Sequence, residues 1–349
     1  MPLSYTTANL ARGAADTGLV RALQCDLRAL GYLKQGMDGV FQGATDAAVR
    51  RLQHDLMTND GHSTRDDGDA PVAIRDYNQG RVAQETGVVD PGLAACIEAL
   101  LIDSRVPKLP SSADAPADNR AARAAVAAAQ SLRSPAPFLL AIFGQESADR
   151  HYCEPSGGDT DSFVVLGLDY LPGQEIRVTS RGYGIGQYTI FHHPPRPEEV
   201  QDFVIDPVRN VQKADGELRA KFDGFVLGGT PDTTADDRVA EHPLLKELRP
   251  CRYQSGDARY LRDCRACAMQ VRKVDLAPDT PAYHGATETY APAPHYAPTT
   301  YHGVPDRAEF LCDWPYAVRR YNGSGPDSYN YQARVLLNLL NVPSPAAET

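Results

Sequence analysis

The chain has 349 residues, 42% of them hydrophobic, and a formal net charge of -10 at pH 7. That length exceeds one typical domain and the apolar content suffices for ordinary cores. The acidic balance, with no clustered run of Lys and Arg, argues against a nucleic-acid partner and against simple attraction to anionic membranes, and no apolar run approaches the roughly 20 residues a membrane span needs.

The first residues, Met1-Pro2-Leu3-Ser4-Tyr5-Thr6-Thr7, lack the basic start and apolar core of a secretory signal. Val20, Leu23, Leu27 and Leu30 then recur at helical spacing, and Gly31 ends the run. Asp38-Gly39 reads as a tight turn, and Thr45 as the cap of a second helix whose apolar face carries Ala48, Val49 and Leu52. The polar stretch from Thr58 to Asp69 reads as a surface loop. A third helix is expected over Val88 to Leu101. Together these pieces resemble the small three-helix peptidoglycan-binding domain, with a longer second connection than that family uses. The resemblance implies peptidoglycan glycan strands as the partner. Peptidoglycan carries stem-peptide carboxylates, so an acidic chain must capture it through local groove contacts. Cys25 and Cys96, on the first and last of these helices, either pair or stay buried as free thiols.

Residues 104–118, rich in Pro, Ser and Ala, read as a flexible linker between a unit at 1–103 and a second at 119–349. An alanine-rich helix from Arg120 to Ser131 opens the second unit, and Pro135-Ala136-Pro137 separates it from the apolar run Phe138 to Phe143. That run reads as a buried helix ending in Gln145-Glu146-Ser147. A carboxyl held at such a place is desolvated, which favours the protonated form required of a general acid. Ser162 to Tyr170 and Glu175 to Thr179 read as strands of a hairpin turning at Leu171-Pro172-Gly173-Gln174. Immediately after come three glycines at alternate positions, in Arg181-Gly182-Tyr183-Gly184-Ile185-Gly186-Gln187, a density that marks close backbone approach.

Beyond lies an insertion, residues 224–309, poor in core-forming residues. Of the seven cysteines, Cys251, Cys264 and Cys267 fall within it and Cys312 just after. Four thiolates of this kind could hold zinc; two disulfides bracing the insertion are the favoured alternative. A redox role for the Cys-x-x-Cys is poor, since no thioredoxin-like pattern surrounds it. His192, His193, His284, His295 and His302 match no metal motif and read as solvated loop residues. Asp223 and the aspartates from Asp232 to Asp237 lack the alternation of a calcium loop. No cofactor is implied. The last motif, Ala317-Val318-Arg319-Arg320-Tyr321-Asn322, is helical and stops in a Gly/Pro turn.

Glu146-Ser147, then Gly184 to Gln187, then Tyr321-Asn322 resemble, in order, the Glu-Ser, Gly-Leu-Met-Gln and Tyr-Asn-x-Gly-Pro motifs of the lysozyme-like lytic transglycosylases. Gly186 stands where that family has methionine, and the final Gly-Pro falls one residue late. The resemblance spans about residues 121 to 345 and rests on these short stretches. The two resemblances together imply a chain that is mainly α within an α+β class, a three-helix wall-binding bundle followed by a lysozyme-like domain, to which the small hairpin and the Cys-rich insertion read above are additions to the compact family pattern. Glu146 would be the acid/base that cleaves the bond between N-acetylmuramic acid and N-acetylglucosamine, and Tyr321 would hydrogen-bond it. Ser147, Tyr183, Gly184, Gln187 and Asn322 would line the sugar site. A transglycosylase needs one acid, whereas a hydrolytic muramidase needs a second carboxylate, for which Asp161 and Asp169 head the candidates, with Asp159 and Glu175. A wall-anchoring protein without catalysis is the reading from a different class. Lacking a recognisable signal, such a chain is expected to reach the periplasm or wall by export, injection or lysis. Its partners would then include a secretion apparatus and, for an injected toxin, an immunity protein.

Overall fold

The computed structural model describes residues 3–65, 67–128, 134–171, 173–226 and 314–322, together with 331, 332, 334–336, 338, 339 and 342. Among the described residues, helices include α1 (Thr17–Ala29), α2 (Gly43–Thr58), α3 (Pro91–Ile102), α4 (Ala115–Ala128), α5 (Ala136–Ser147), the single turn α6 (Pro197–Glu199), α7 (Pro207–Lys221) and α8 (Trp314–Tyr321). An antiparallel sheet among the described residues, ordered β1-β2-β3, is formed by Leu166–Leu171, Gln174–Tyr183 and Tyr188–Ile190. The architecture is therefore mostly helical with a small sheet, an α+β chain. Two compact units comprise Met1–Ala128 with Arg150–Val211, and Ala129–Asp149 with Gln212–Thr349. No helix among the described residues is long and apolar enough to cross a membrane.

In the first unit, the Asp16 carboxylate accepts the Gly18 and Leu19 amides at 3.0 Å each, satisfying N–H groups that the start of α1 leaves without helical partners. The chain leaves the helix through Gly31 at φ +76°, a left-handed conformation suited to glycine. Val20, Leu23 and Leu27 of α1, Val49, Leu52 and Leu56 of α2, and Leu93, Ile97 and Leu100 of α3 share one core. Thr45 does not cap α2. The helix starts earlier, at Gly43, and Thr45 Oγ1 instead accepts a hydrogen bond from Gln24 Nε2 on α1 at 3.0 Å. Asp90 caps α3 through the Leu93 amide at 2.8 Å.

The hairpin expected over Ser162 to Tyr170 and Glu175 to Thr179 is present, its first strand starting at Leu166, with Leu166 opposite Tyr183 and Leu171 opposite Gln174. β2 runs further than its sequence suggests, into the glycine motif, and a third strand follows in which Tyr188 faces Tyr183. This sheet is joined to α1 and α2 by a buried polar seam. Arg28 of α1, 0% exposed, pairs with Asp161 at 2.8 Å and donates to the Leu33 and Val164 carbonyls at 2.8 and 2.9 Å. Arg181 of β2 donates to the Gly31 carbonyl at 3.1 Å and meets Asp55 of α2 at 3.4 Å, while the Tyr32 phenol donates to the same carboxylate at 3.0 Å.

The stretch read as a flexible linker is tied down. The Leu109 amide donates to the Ala29 carbonyl at 2.8 Å, Val164 to Pro110 at 2.9 Å and Ser112 to Ser162 at 2.9 Å, and Val106 and Leu109 are buried. Its Pro and Ser content suggests looseness; the main-chain bonds it makes to distant segments are invisible to composition. His192 and His193, expected in solvent, are 3% and 4% exposed, and His192 Nε2 lies 2.8 Å from Glu199 Oε2. Cys25, Cys96 and Cys153 are free thiols, so Cys25 and Cys96 are not paired. In the second unit, Phe138, Leu139, Ala141, Ile142 and Phe143 bury one side of α5, and Phe222 stacks on Trp314 at 4.2 Å between ring centroids. Cys251, Cys264, Cys267, Cys312, His284, His295 and His302 lie outside the described residues.

Candidate functional site

Glu146 sits in the last turn of α5, which Ala148 closes at φ +52°. It is half-buried, and its neighbour Ser147 is buried with Oγ donating to the Phe143 carbonyl at 3.1 Å. The phenol of Tyr331, 7% exposed, donates to Glu146 Oε1 at 2.6 Å. Burial first, then the adjacent Glu146 carboxylate, holds this phenol well above its ordinary range, which keeps it a donor. Tyr321, at the end of α8, sets its ring nearly parallel to that of Tyr331, with centroids 6.4 Å apart and an interplanar angle of 18°. Asn322 follows and is exposed, its amide bonded to the Arg319 carbonyl at 3.2 Å. Gly144 makes room on α5 for Asn338: a Cβ there would lie 3.3 Å from Asn338 Nδ2, which donates to the Ala141 carbonyl at 3.2 Å.

Motif order singles out Tyr321 as the phenol beside the glutamate; the contact described is made by Tyr331. A signal for it exists. Tyr331 precedes Val335, Leu336 and Leu339 at helical spacing, and all four are buried.

The glycine motif forms the turn between β2 and β3. Gly184 has φ +69°, and a Cβ there would lie 2.5 Å from His151 Cε1, so the position excludes a larger residue on two grounds. His151 is fully buried. Its Nδ1 accepts the Ile185 amide at 3.2 Å and its Nε2–H donates to the Val204 carbonyl at 2.7 Å, which fixes the neutral tautomer. Desolvation lowers its pKa to about 4. Asn210 of α7, also fully buried, accepts the Gly186 amide and donates to the Tyr183 carbonyl, both at 2.7 Å. His151 and Asn210 hold the turn from outside the motif, and no local pattern marks either.

Gln187, at φ +48°, folds over its own turn and donates to the Gly184 carbonyl at 2.7 Å. Its Oε1 occupies the space that side chains at Gly167 or Gly182 would fill. Tyr183 is 0% exposed, and its hydroxyl has no hydrogen-bond partner among the described residues. Tyr183, Gly184 and Gln187 belong to the first unit; Glu146, Ser147, Tyr321 and Asn322 belong to the second.

Three of the second-carboxylate candidates, Asp161, Asp159 and Asp169, have structural occupations. Asp161 is 2% exposed, pairs with Arg28, and accepts the Gly36 and Phe163 amides at 3.1 and 3.0 Å. Asp159 accepts the Met37 and Asp161 amides at 2.7 and 2.8 Å. Asp169 is exposed and accepts the Ser180 hydroxyl at 2.5 Å, and Glu175 is exposed on β2. Among the described residues no group of three or more His, Cys, Asp or Glu is arranged to hold a metal ion.

Residues 17–59 match a family described as "Putative peptidoglycan binding domain". The match covers α1, the Asp38-Gly39 turn and α2; besides donating to Thr45, Gln24 accepts the Gly39 amide at 2.8 Å, which ties the turn to α1. No curated protein and no solved structure matches the chain. The N-terminal part of the chain thus carries a peptidoglycan-binding domain, which associates it with the cell wall.

Proposed function

We propose that the chain is a wall-cleaving enzyme that binds peptidoglycan through its N-terminal helices and cuts the β-1,4 bond between N-acetylmuramic acid and N-acetylglucosamine, with Glu146 as the acid/base. The observation that carries the chemistry is the 2.6 Å hydrogen bond from the buried Tyr331 phenol to Glu146 Oε1. A carboxyl at the end of an apolar helix, pinned in one rotamer by a donor that does not ionise, is what general acid catalysis needs. Glu146 would protonate the glycosidic oxygen, then, as carboxylate, take the proton from the muramyl C6 hydroxyl as that oxygen closes a 1,6-anhydro ring. Intramolecular attack supplies effective concentration, so no second carboxylate is required. The occupation of Asp161 by Arg28 favours this single-acid route over a hydrolytic one.

A second reading, a wall-binding protein without catalysis, draws on a specific observation. Gln187 and Tyr183, expected to meet the sugar, are respectively turned onto the protein's own backbone and buried in its core. Clearing of a peptidoglycan suspension separates the two. The enzyme reading expects the chain to clear it and Glu146→Gln to fail while still pelleting with insoluble wall; equal clearing by both, or by neither, sinks the assignment. Mass spectrometry of the products then reads the route: anhydro ends lighter by one water mark the transglycosylase, reducing ends the muramidase.

A further inference from the structure

Gly144 lies in the interior of α5, where glycine weakens a helix relative to alanine. The space it leaves admits a neighbour. A Cβ at this position would lie 3.3 Å from Nδ2 and 3.6 Å from Cγ of Asn338, whose amide donates to the Ala141 carbonyl at 3.2 Å. Within an α-helix such a carbonyl already receives the amide four residues on. The Asn338 bond is therefore additional to the helix's own ladder, and it ties α5 to another segment.

Residues 331, 332, 334–336, 338 and 339 of that segment are helical. Tyr331 and Asn338 stand about two turns apart and so share one face, with the fully buried Val335 between them. This face grips α5 twice, Tyr331 at the Glu146 carboxyl and Asn338 at the Ala141 carbonyl. The order of the two contacts is reversed along the two helical segments, which therefore run antiparallel. Gln332, 1% exposed, donates to the Pro315 carbonyl of α8 at 2.9 Å and anchors the same segment from a second direction.

The end of α5 has reason to be gripped. Ala148 and Asp149, directly after Glu146 and Ser147, are consecutive left-handed residues at φ +52° and +57°. Residues other than glycine keep that conformation where their surroundings over-determine it. The amides of both converge with the Ser147 hydroxyl on the Phe143 carbonyl. Apolar packing is non-directional and sets the separation of two helices better than their slide. A slip of α5 by one residue's rise, about 1.5 Å, would take the carboxyl away from the Tyr331 phenol. Directional bonds at Ala141 and at Glu146 oppose that slip. We infer that Asn338 is a positioning residue for Glu146: its amide sets the register of α5 so that the carboxyl meets the Tyr331 phenol, and Gly144 supplies the clearance it requires. The inference rests on the reading of Glu146 as the acid/base.

Two variants break the same bond in opposite ways. Asn338→Leu keeps the volume and removes the donor; Gly144→Ala keeps the donor and takes its space. Each is expected to lower kcat on soluble glycan strands roughly ten-fold, with KM and wall pelleting unchanged. Combined, they should lose little more than either alone. Because alanine is the better helix former, Gly144→Ala should melt no lower than the parent while it loses rate, which separates positioning from loss of fold. In both variants the Glu146 carboxyl, followed by carbon NMR, should titrate at higher pH than in the parent as the bond to its charged form loosens. Parental kcat in Gly144→Ala, a rise in KM alone, additive losses in the double variant or an unmoved Glu146 titration overturns the assignment. A parent chain that fails to cleave glycan refutes the enzyme reading instead, and the Glu146 titration by itself then decides whether Asn338 positions the carboxyl.

Discussion

The Tyr331 phenol donates to Glu146 Oε1 at 2.6 Å across 185 positions of sequence. Tyr331→Phe removes that donor while leaving the ring that stacks near Tyr321. If the bond positions the catalytic carboxyl, the variant should lose roughly ten- to a hundred-fold in wall-clearing rate and its pH profile should move, because Glu146 loses a hydrogen bond to its charged form. Wall pelleting should be unchanged. A variant with parental rate and parental profile would show that Tyr331 only packs.

Acid should weaken the first unit through His151. Its pKa falls from 6.5 in the unfolded chain to about 4 when folded. Between those values the unfolded chain binds the extra proton, so stability falls as pH drops from 6.5 and is lower by roughly 3 kcal/mol near the folded value; above 6.5 the group costs nothing. Burial lowers His193 in the same direction. Urea midpoints measured from pH 7 to pH 4, with the His151 ring followed by NMR, check this. A ring that titrates near 6.5 in the folded protein contradicts the buried neutral tautomer.

Asp161→Ala strands the guanidinium of Arg28, which is 0% exposed. Removing one partner of a buried pair costs about 3–5 kcal/mol. The paired replacement Arg28→Met/Asp161→Leu should recover part of that loss. Chemical denaturation of the two variants decides it, and a single variant within 1 kcal/mol of the parent, at the order of a surface pair, would refute a dry seam.

Gly184→Ala meets both the φ of +69° and the His151 ring. The combined backbone and packing cost is roughly 2–3 kcal/mol, read as a lower melting temperature. Gly216→Ala on α7, where an added Cβ meets nothing within 4 Å, should be neutral or stabilising by up to about 1 kcal/mol.

Alkylation under denaturing conditions without reductant should modify Cys25, Cys96 and Cys153, which are free thiols. In the folded protein Cys153 should react slowly, since burial pushes its thiol up to about 11. A Cys25–Cys96 peptide linked by a disulfide would contradict the structure.

The helical core was legible because burial there follows period: Val20, Leu23 and Leu27 recur on one face, and the structure buries all three. The hairpin was legible from two strand-like runs on either side of the turn at Leu171 to Gln174. Polar contacts have no period. Arg28 meets Asp161 at a separation no pattern announces, His151 and Asn210 grip the glycine turn from elsewhere in the chain, and the Tyr331 phenol reaches Glu146 from beyond the Tyr-Asn motif. His192 and His193 read as solvent-facing because prolines follow them, whereas the fold buries both and sets His192 Nε2 against Glu199. Side-chain type told which chemistry was available; only the folded chain told which groups share it.

The seam formed by Arg28 with Asp161 and by Arg181 with Asp55 carries a mechanical consequence. A pull on α2 would pass into β2 through the Arg181–Asp55 pair, and a pull on α1 into the segment before β1 through the Arg28–Asp161 pair, without a slack tether in between.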